Sequence, residues 1–441
     1  MLIKMSNNKR SNLIMKNVVA SFFIKGWSAL VTLLMVPLAL KMLGVYSNGV
    51  WLTISGILLW IDMFDIGLGN GLRNVVANNI ATGNTTKVRE AISSTFFMLA
   101  AIIVPIFILL CFIILAFDMH EALGVDKHII GQLDTILIIA IALSCCTFVL
   151  KSTGNFFMGM QLPAVNNLIV SLGQTLALAL TFAAYLLGHH SLMTVVIANI
   201  SAPLIIWLLC LPYTFIIKYP QFCPSIRLIN IQMARNLCST GVQFFLLQIC
   251  SVILFTSTNI IISKAFSPAE VTPYQIAYRY FSVMLTVVNI VYMPFWNATT
   301  DAYSRGDISW IRKTSRKLDL MLGLIFLALT LMVVVSEPVY HLWIGRGVHI
   351  PLDLSVSMAV YIFTIIASLR YSYILNGINV LRIQMIFTSI ATIVFIPLAW
   401  MACKLYGTVT SLVIVMCIVN IPGLIANAWK CQQIFKMPTC K

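Results

Sequence analysis

"YSNGVWLTISGILLWIDMFDIGLGNGLRN" occupies residues 46–74. No charge interrupts it before Asp62, and the second half then brings three glycines, two acids and a base into a few residues. An apolar run long enough to cross about 30 Å of hydrocarbon, closed by a polar glycine cluster, reads as a helix leaving a membrane. Helix is the form such a run takes, because it satisfies its own backbone where no water is at hand. The same alternation continues along all 441 residues, of which 60% are hydrophobic and 9% charged, with a mean hydropathy of +0.97. That composition excludes an ordinary soluble domain and predicts an all-α polytopic membrane protein.

At roughly 35 residues per span and connection, the length suits about twelve spans of about 20 residues. The apolar runs place them near 17–40, 46–64, 92–116, 129–150, 162–187, 191–217, 236–263, 271–296, 317–335, 355–376, 381–402 and 406–429. Counted over this pattern with the N-terminus inside, twenty of the 28 lysines and arginines fall on one side, five on the other and three within spans. The positive-inside rule then puts both termini in the cytoplasm. It also explains the net charge of +15 without nucleic acid. The basic N-terminus runs straight into a spanning stretch, as a retained signal anchor does. Eleven scattered cysteines, with no C-x-x-C pair, indicate neither a disulfide framework nor a metal site.

In this topology Asp65, Gly67, Gly69, Gly71 and Arg73 lie where the second span reaches the cytoplasmic face. The glycines are expected to end the helix and turn the chain. Residues 72–93 are expected to follow as an amphipathic surface helix, with Arg73, Lys87 and Arg89 against anionic head groups. A dinucleotide fingerprint would need a preceding strand and different spacing.

Gly83 and Asn84 recur as Gly306 and Asp307, Val88 as Ile311, and Arg89 as Arg312, always 223 residues on (83 to 306). Lys41 recurs as Lys264 at the same offset. This predicts a parallel duplication in two pseudo-symmetric six-helix lobes, residues 1–225 and 226–441. Many transporters place a site between such halves.

Polar groups inside spans are expensive and need a wet cavity or a helix seam. Asn17, Ser21, Lys25, Ser28 and Thr32 share one face of the first span; Gln275, Arg279, Ser282, Thr286 and Asn289 share one face of the eighth. Asn167, Ser171 and Gln174 follow suit in the fifth, and Gln243, Gln248 and Ser251 less regularly in the seventh. Tyr278 flanks Arg279. Lys25 and Arg370 lie near the cytoplasmic edge, so each either lines a cavity or snorkels. No carboxylate lies deep in a span, and cations among neutral hydrogen-bonders suit an anionic, hydroxyl-rich substrate. No P-loop, H-E-x-x-H motif or outer acid/base cluster indicates an enzyme or a cofactor.

The stretches "VPLALKMLGVYSNGVWLTI" (36–54), "DIGLGNGLRNVVANNIATGN" (65–84) and "YQIAYRYFSVMLTVVNIVYMPFWNATTDAYSRGDISWIRK" (274–313) resemble the Wzx-type oligosaccharide flippases. These form the polysaccharide branch of the MATE-like multidrug/oligosaccharidyl-lipid/polysaccharide (MOP) superfamily. The resemblance implies twelve helices in two lobes around a central cationic cavity. It implies alternating access that moves a polyprenyl-pyrophosphate-linked oligosaccharide from the cytoplasmic to the periplasmic leaflet of the bacterial inner membrane. That step serves O-antigen, capsule or exopolysaccharide synthesis, with polysaccharide polymerase and chain-length machinery as implied partners. Lys25 and Arg279 match the family's cavity cations, and Arg370 offers a third. Ser21, Ser28, Gln275, Tyr278, Ser282, Thr286 and Asn289 complete the expected cavity lining. Asp65, Gly67, Gly69, Gly71, Arg73, Gly306 and Asp307 form the expected cytoplasmic hinge. The rival readings are a MATE-like multidrug or cation antiporter and, in another class, a membrane-embedded glycan polymerase or acyltransferase.

Overall fold

A computed structural model describes residues 7–65, 67–81, 83–233, 242–304, 306–378 and 380–435. Among them there are helices and turns and no strand. The chain is a multi-pass membrane protein: nine described helical stretches are long and apolar enough to cross a bilayer. The first, α1 (Asn7–Ile61), holds both of the first two expected spans, broken at Gly44 with φ 68°. The seventh and eighth expected spans fall in α9 (Val242–Ala265) and α10 (Pro268–Ser304), outside those nine.

The contacts divide the chain into two units, Met1–Phe245 and Leu246–Lys441. In the first, α1 is followed by α2 (Leu68–Ala81), α3 (Thr85–Ala116), α4 (Met119–Leu123), α5 (Leu133–Leu150), α6 (Ser152–Gly159), α7 (Pro163–Leu186) and α8 (Leu192–Pro212). Helix α7 packs between α1 and α8, while α2 rests on α3 and α6. In the second, α9 and α10 lead to α11 (Ile308–Val334), α12 (Ser336–Ile344), α13 (Leu352–Gly377), α14 (Arg382–Tyr406) and α15 (Val409–Phe435). There α13 is central, packed on α10, α11 and α15.

The same turn and helix cap occur once in each unit. Gly83 and Gly306 have φ of 75° and 74°, values that favour glycine. Around the first, Gly83 N–H donates to Ile80 at 3.2 Å and Asn84 N–H to Asn79 at 2.9 Å. Around the second, Gly306 donates to Tyr303 at 3.0 Å and Asp307 to Ala302 at 2.9 Å. Asn84 then caps α3 by accepting from Lys87 N–H at 3.1 Å, and Asp307 caps α11 by accepting from Trp310 N–H at 2.9 Å. Trp310 N–H and the Ser309 hydroxyl hold the Asp307 carboxyl below its usual value. Helix backbones also meet alike. A methyl on Gly159 would lie 2.8 Å from the Arg73 carbonyl oxygen, and one on Gly377 2.9 Å from that of Trp296, 223 residues after Arg73. Val88, Phe156 and Phe157 fill one core, and Ile311, Ile374 and Leu375 fill its counterpart.

Three expectations need correction. The glycines of 65–74 do not jointly end a helix. Gly67 turns the chain with φ 81°, whereas Gly69 and Gly71 lie inside α2. The cause is local: Asp65 accepts from Gly69 N–H at 2.8 Å and so starts a new helix. The amphipathic follower is therefore short, ending at Ala81, with Leu68, Leu72 and Val76 buried and Arg73 exposed. Arg89 is not left for head groups, because its Nε donates to the Cys223 carbonyl at 2.5 Å and ties the segment after α8 to α3.

Candidate functional site

Helix α10 begins with a capping signal written in its sequence, Ser267-Pro268-Ala269-Glu270. Ser267 Oγ accepts from Ala269 N–H at 3.2 Å, Pro268 opens the first turn, and Glu270 favours the positive helix end. Tyrosines fix the helix in place. The buried Tyr274 hydroxyl donates to Met416 Sδ at 3.8 Å on α15, and Tyr280 donates to the Met332 carbonyl at 3.0 Å on α11. Tyr278 stacks on Tyr274, with ring centroids 6.5 Å apart.

Most of the α10 stripe is satisfied within the second unit. Gln275 Nε2 donates to Asn259 Oδ1 at 2.7 Å, and Asn289 Oδ1 accepts from the Tyr373 hydroxyl at 2.7 Å. Ser282 Oγ bonds back to the Arg279 carbonyl at 3.0 Å, and Thr286 Oγ1 to the Ser282 carbonyl at 3.5 Å. Arg279 stands apart. It is partly buried, and among the described residues its guanidinium has neither a hydrogen bond nor an ion pair. A group that costs this much to insert needs a partner, and the described residues around it do not supply one.

In the first unit, Lys25 is exposed on α1 and Ser28 is partly buried. Among the described residues, Ser21 Oγ is buried without a partner, as is Gln174 Oε1 on α7. Trp27 Nε1 joins the two helices by donating to Thr175 Oγ1 at 3.0 Å. The side chains of Asn17, Gln243, Gln248 and Ser251 lie outside the described residues.

Arg370 does not reach out to solvent as a snorkelling side chain would. It is 5% exposed and ion-paired to Asp319, which stands three turns into α11. Its guanidinium also donates to Ser315 Oγ at 3.0 Å and lies 4.4 Å from the centre of the Tyr371 ring. Both charges stand near the shared end of spans nine and ten, although their pairing depends on helix rotation, which periodicity leaves open. Likewise Asp62 pairs with Lys151 at 2.6 Å in the first unit. Beside that pair, burial raises the Asp65 carboxyl above its usual value.

Of the expected hinge residues, Gly67 and Gly306 are turns and Asp65 and Asp307 are caps. Gly69 packs against the Asn155 side chain, Gly71 N–H donates to the Gly67 carbonyl at 2.9 Å, and Arg73 is exposed. Helix α2 is thus held at its start rather than slack.

No family profile matches the chain. A protein of Salmonella typhi named as a candidate O-antigen transporter is 22% identical over 389 residues, covering 86% of this chain and 87% of its own length. One of the same name from Salmonella typhimurium is 20% identical over 370 residues, covering 80% and 81%. Among solved structures, the inward-facing form of a multidrug resistance MATE family transporter of the MOP superfamily superimposes with a TM-score of 0.77. It shares 15% identity and covers 92% of this chain and 96% of its own. That likeness shows the fold.

Proposed function

We propose that this membrane transporter, a Wzx-type flippase of the MOP superfamily, carries a polyprenyl-pyrophosphate-linked oligosaccharide from the cytoplasmic to the periplasmic leaflet. The two relatives named for O-antigen transport support that cargo, and so does the cationic character of the polar stripes. On this reading twelve spans form two lobes, residues 1–225 and 226–441, with both termini in the cytoplasm of a bacterial inner membrane. The lobes rock about a shared cavity, and the turns at Gly67 and Gly306 serve its cytoplasmic gate. Polymerase and chain-length proteins would receive the product.

Arg279 carries the reading. It is a guanidinium within a span whose stripe neighbours have found partners and which, among the described residues, has found none itself. A diphosphate supplies what is missing, through charge-assisted bonds in a poorly polarisable site. Lys25 adds a second charge, and Ser21, Ser28, Gln275, Tyr278, Ser282, Thr286 and Asn289 provide hydroxyl and amide groups for sugars. Arg370 contributes less, because Asp319 already answers its charge.

Export should respond accordingly. One hydrogen bond to a charged group is worth about 1.5–3 kcal/mol, so Arg279→Ala should weaken cargo binding roughly 10- to 150-fold. Lipid-linked sugar should accumulate on the inner face. Arg279→Lys keeps the charge and loses the bidentate fork, so it should fall between. Unchanged surface glycan from the alanine variant at equal expression would remove Arg279 from the site.

A further inference from the structure

We infer that the second unit carries a separate binding site for the phosphate headgroup of a lipid, in a basic pocket where α11 begins and α13 and α15 end. The proposed orientation puts this pocket at the inner leaflet; the pocket itself does not depend on the transport reading. It is a cavity of about 550 Å³, lined by Arg312, Ser315, Arg316, Asp319, Arg370 and Tyr371 among others.

Charge is the first argument. Three guanidiniums face one carboxylate, and Asp319 is half exposed, so two positive charges remain unanswered in the lining. Arg370 is the anchor. Asp319 and Ser315 use two of its nitrogens, while Nε is buried with no partner among the described residues. Arg312 donates to the Phe435 carbonyl and closes one wall, and Arg316 stands exposed at the rim. Forked donors around a small cavity match the oxygens of a phosphate. Basic pockets between membrane helices on the cytoplasmic side are suited to multiply charged headgroups.

A free anion would need nothing more, but the pocket opens onto an apolar track. Arg316, Leu320, Leu324, Leu327 and Leu331 are spaced by 4, 4, 3 and 4 residues and so share one face of α11. The four leucines are 77%, 69%, 67% and 62% exposed. A headgroup held at Arg316 therefore sets its chain along this face. The lipid is either an anionic phospholipid of the bilayer or the polyprenyl diphosphate carrier, and both present the same chemistry to the pocket.

Native mass spectrometry of the full-length chain in neutral detergent separates these sources. The chain is titrated in turn with cardiolipin, with polyprenyl diphosphate and with phosphatidylcholine, and inorganic phosphate is then tested as competitor. Arg316→Ala, at an exposed position that tolerates truncation, should weaken binding of at least one anionic lipid fivefold or more. Arg316→Glu should weaken it further, and phosphatidylcholine should be unaffected. Arg382→Ala, at an exposed cation starting α14, should change nothing. A loss confined to cardiolipin identifies a bilayer lipid, and a loss confined to polyprenyl diphosphate identifies the carrier. Wild-type affinity in both Arg316 variants, an equal loss in Arg382→Ala, or displacement of neither lipid by phosphate with Arg316 replaced at no cost, would overturn the site. Arg279→Ala should keep this binding, so failure of the pocket and failure of the transport reading give different results.

Discussion

Alanine at Gly377 sets two effects of opposite sign against each other. The added methyl would lie 2.9 Å from the Trp296 carbonyl oxygen and 2.9 Å from Thr299 Cβ, well inside the 3.5–4.0 Å optimum for carbon contacts. The neighbour is backbone, and the Thr300 hydroxyl already donates to the Gly377 carbonyl at 2.8 Å, so neither helix yields easily. Overpacking of this kind costs about 1–3 kcal/mol. Gly377 is the last residue of α13, so little of the roughly 1 kcal/mol helical gain from Gly to Ala offsets that cost. Gly159→Ala should behave alike, its methyl falling 2.7 Å from Val76 Cβ. Gly323 is the contrast: it lies inside α11 with nothing within 4 Å, so alanine there should stabilise by about 0.4–1 kcal/mol. At about 2–4 °C per kcal/mol for units of this size, thermal midpoints should fall by roughly 2–12 °C for the first two and rise by roughly 1–4 °C for the third. The assay is loss of monodisperse elution after heating in detergent. If Gly377→Ala melts at or above wild type while Gly323→Ala rises, the close approach of α13 to α10 is not what glycine serves there.

Asp319→Asn should destabilise by about 1–3 kcal/mol in the same assay. That is below the 3–5 typical of a fully buried pair, because Asp319 is half exposed and water can partly replace it. Arg370→Met with Asp319→Leu should recover most of the loss. Asp65 gives a pH dependence. Its carboxyl is raised in the folded chain, so the group favours folding most below the unfolded value near 3.8, and that contribution is lost as pH rises through the folded value. Asp65→Asn should therefore gain stability over wild type as pH climbs from about 4 towards neutrality. A difference independent of pH would show that burial does not set this group.

The helical class and most span positions were legible because hydropathy and length alone decide them, as the break at Gly44 between the first two expected spans illustrates. The recurring turn was legible for a different reason: a left-handed turn and a capped helix start admit few residue types, so Gly83-Asn84 and Gly306-Asp307 stand out as a visible signal. The internal partners were not legible. Gln275 with Asn259 and Arg370 with Asp319 depend on the rotation of one helix against another, which periodicity leaves open. The stripe on α10 was therefore seen as a whole, although among the described residues Arg279 is the member of it that lacks a partner.

The duplication also shows where the copies part. Displaced by 223 residues, the stretch 65–74 meets Val288–Asn297, "VNIVYMPFWN", in the second unit. There α10 runs unbroken from Pro268 to Ser304, whereas the first copy is interrupted between Ile61 and Leu68. The difference follows from two positions. Gly67, at φ 81°, is replaced by Ile290, whose branched side chain is strongly disfavoured in that conformation. Asp65, the cap of α2, is replaced by Val288, which offers no acceptor. Where Gly69 makes room for Asn155, Tyr292 instead meets Tyr373 edge to face at 6.1 Å. The shared turns and glycine contacts thus keep one scaffold in both units. Among the described residues the capped break belongs to the first unit, and in the second a continuous helix carries Arg279.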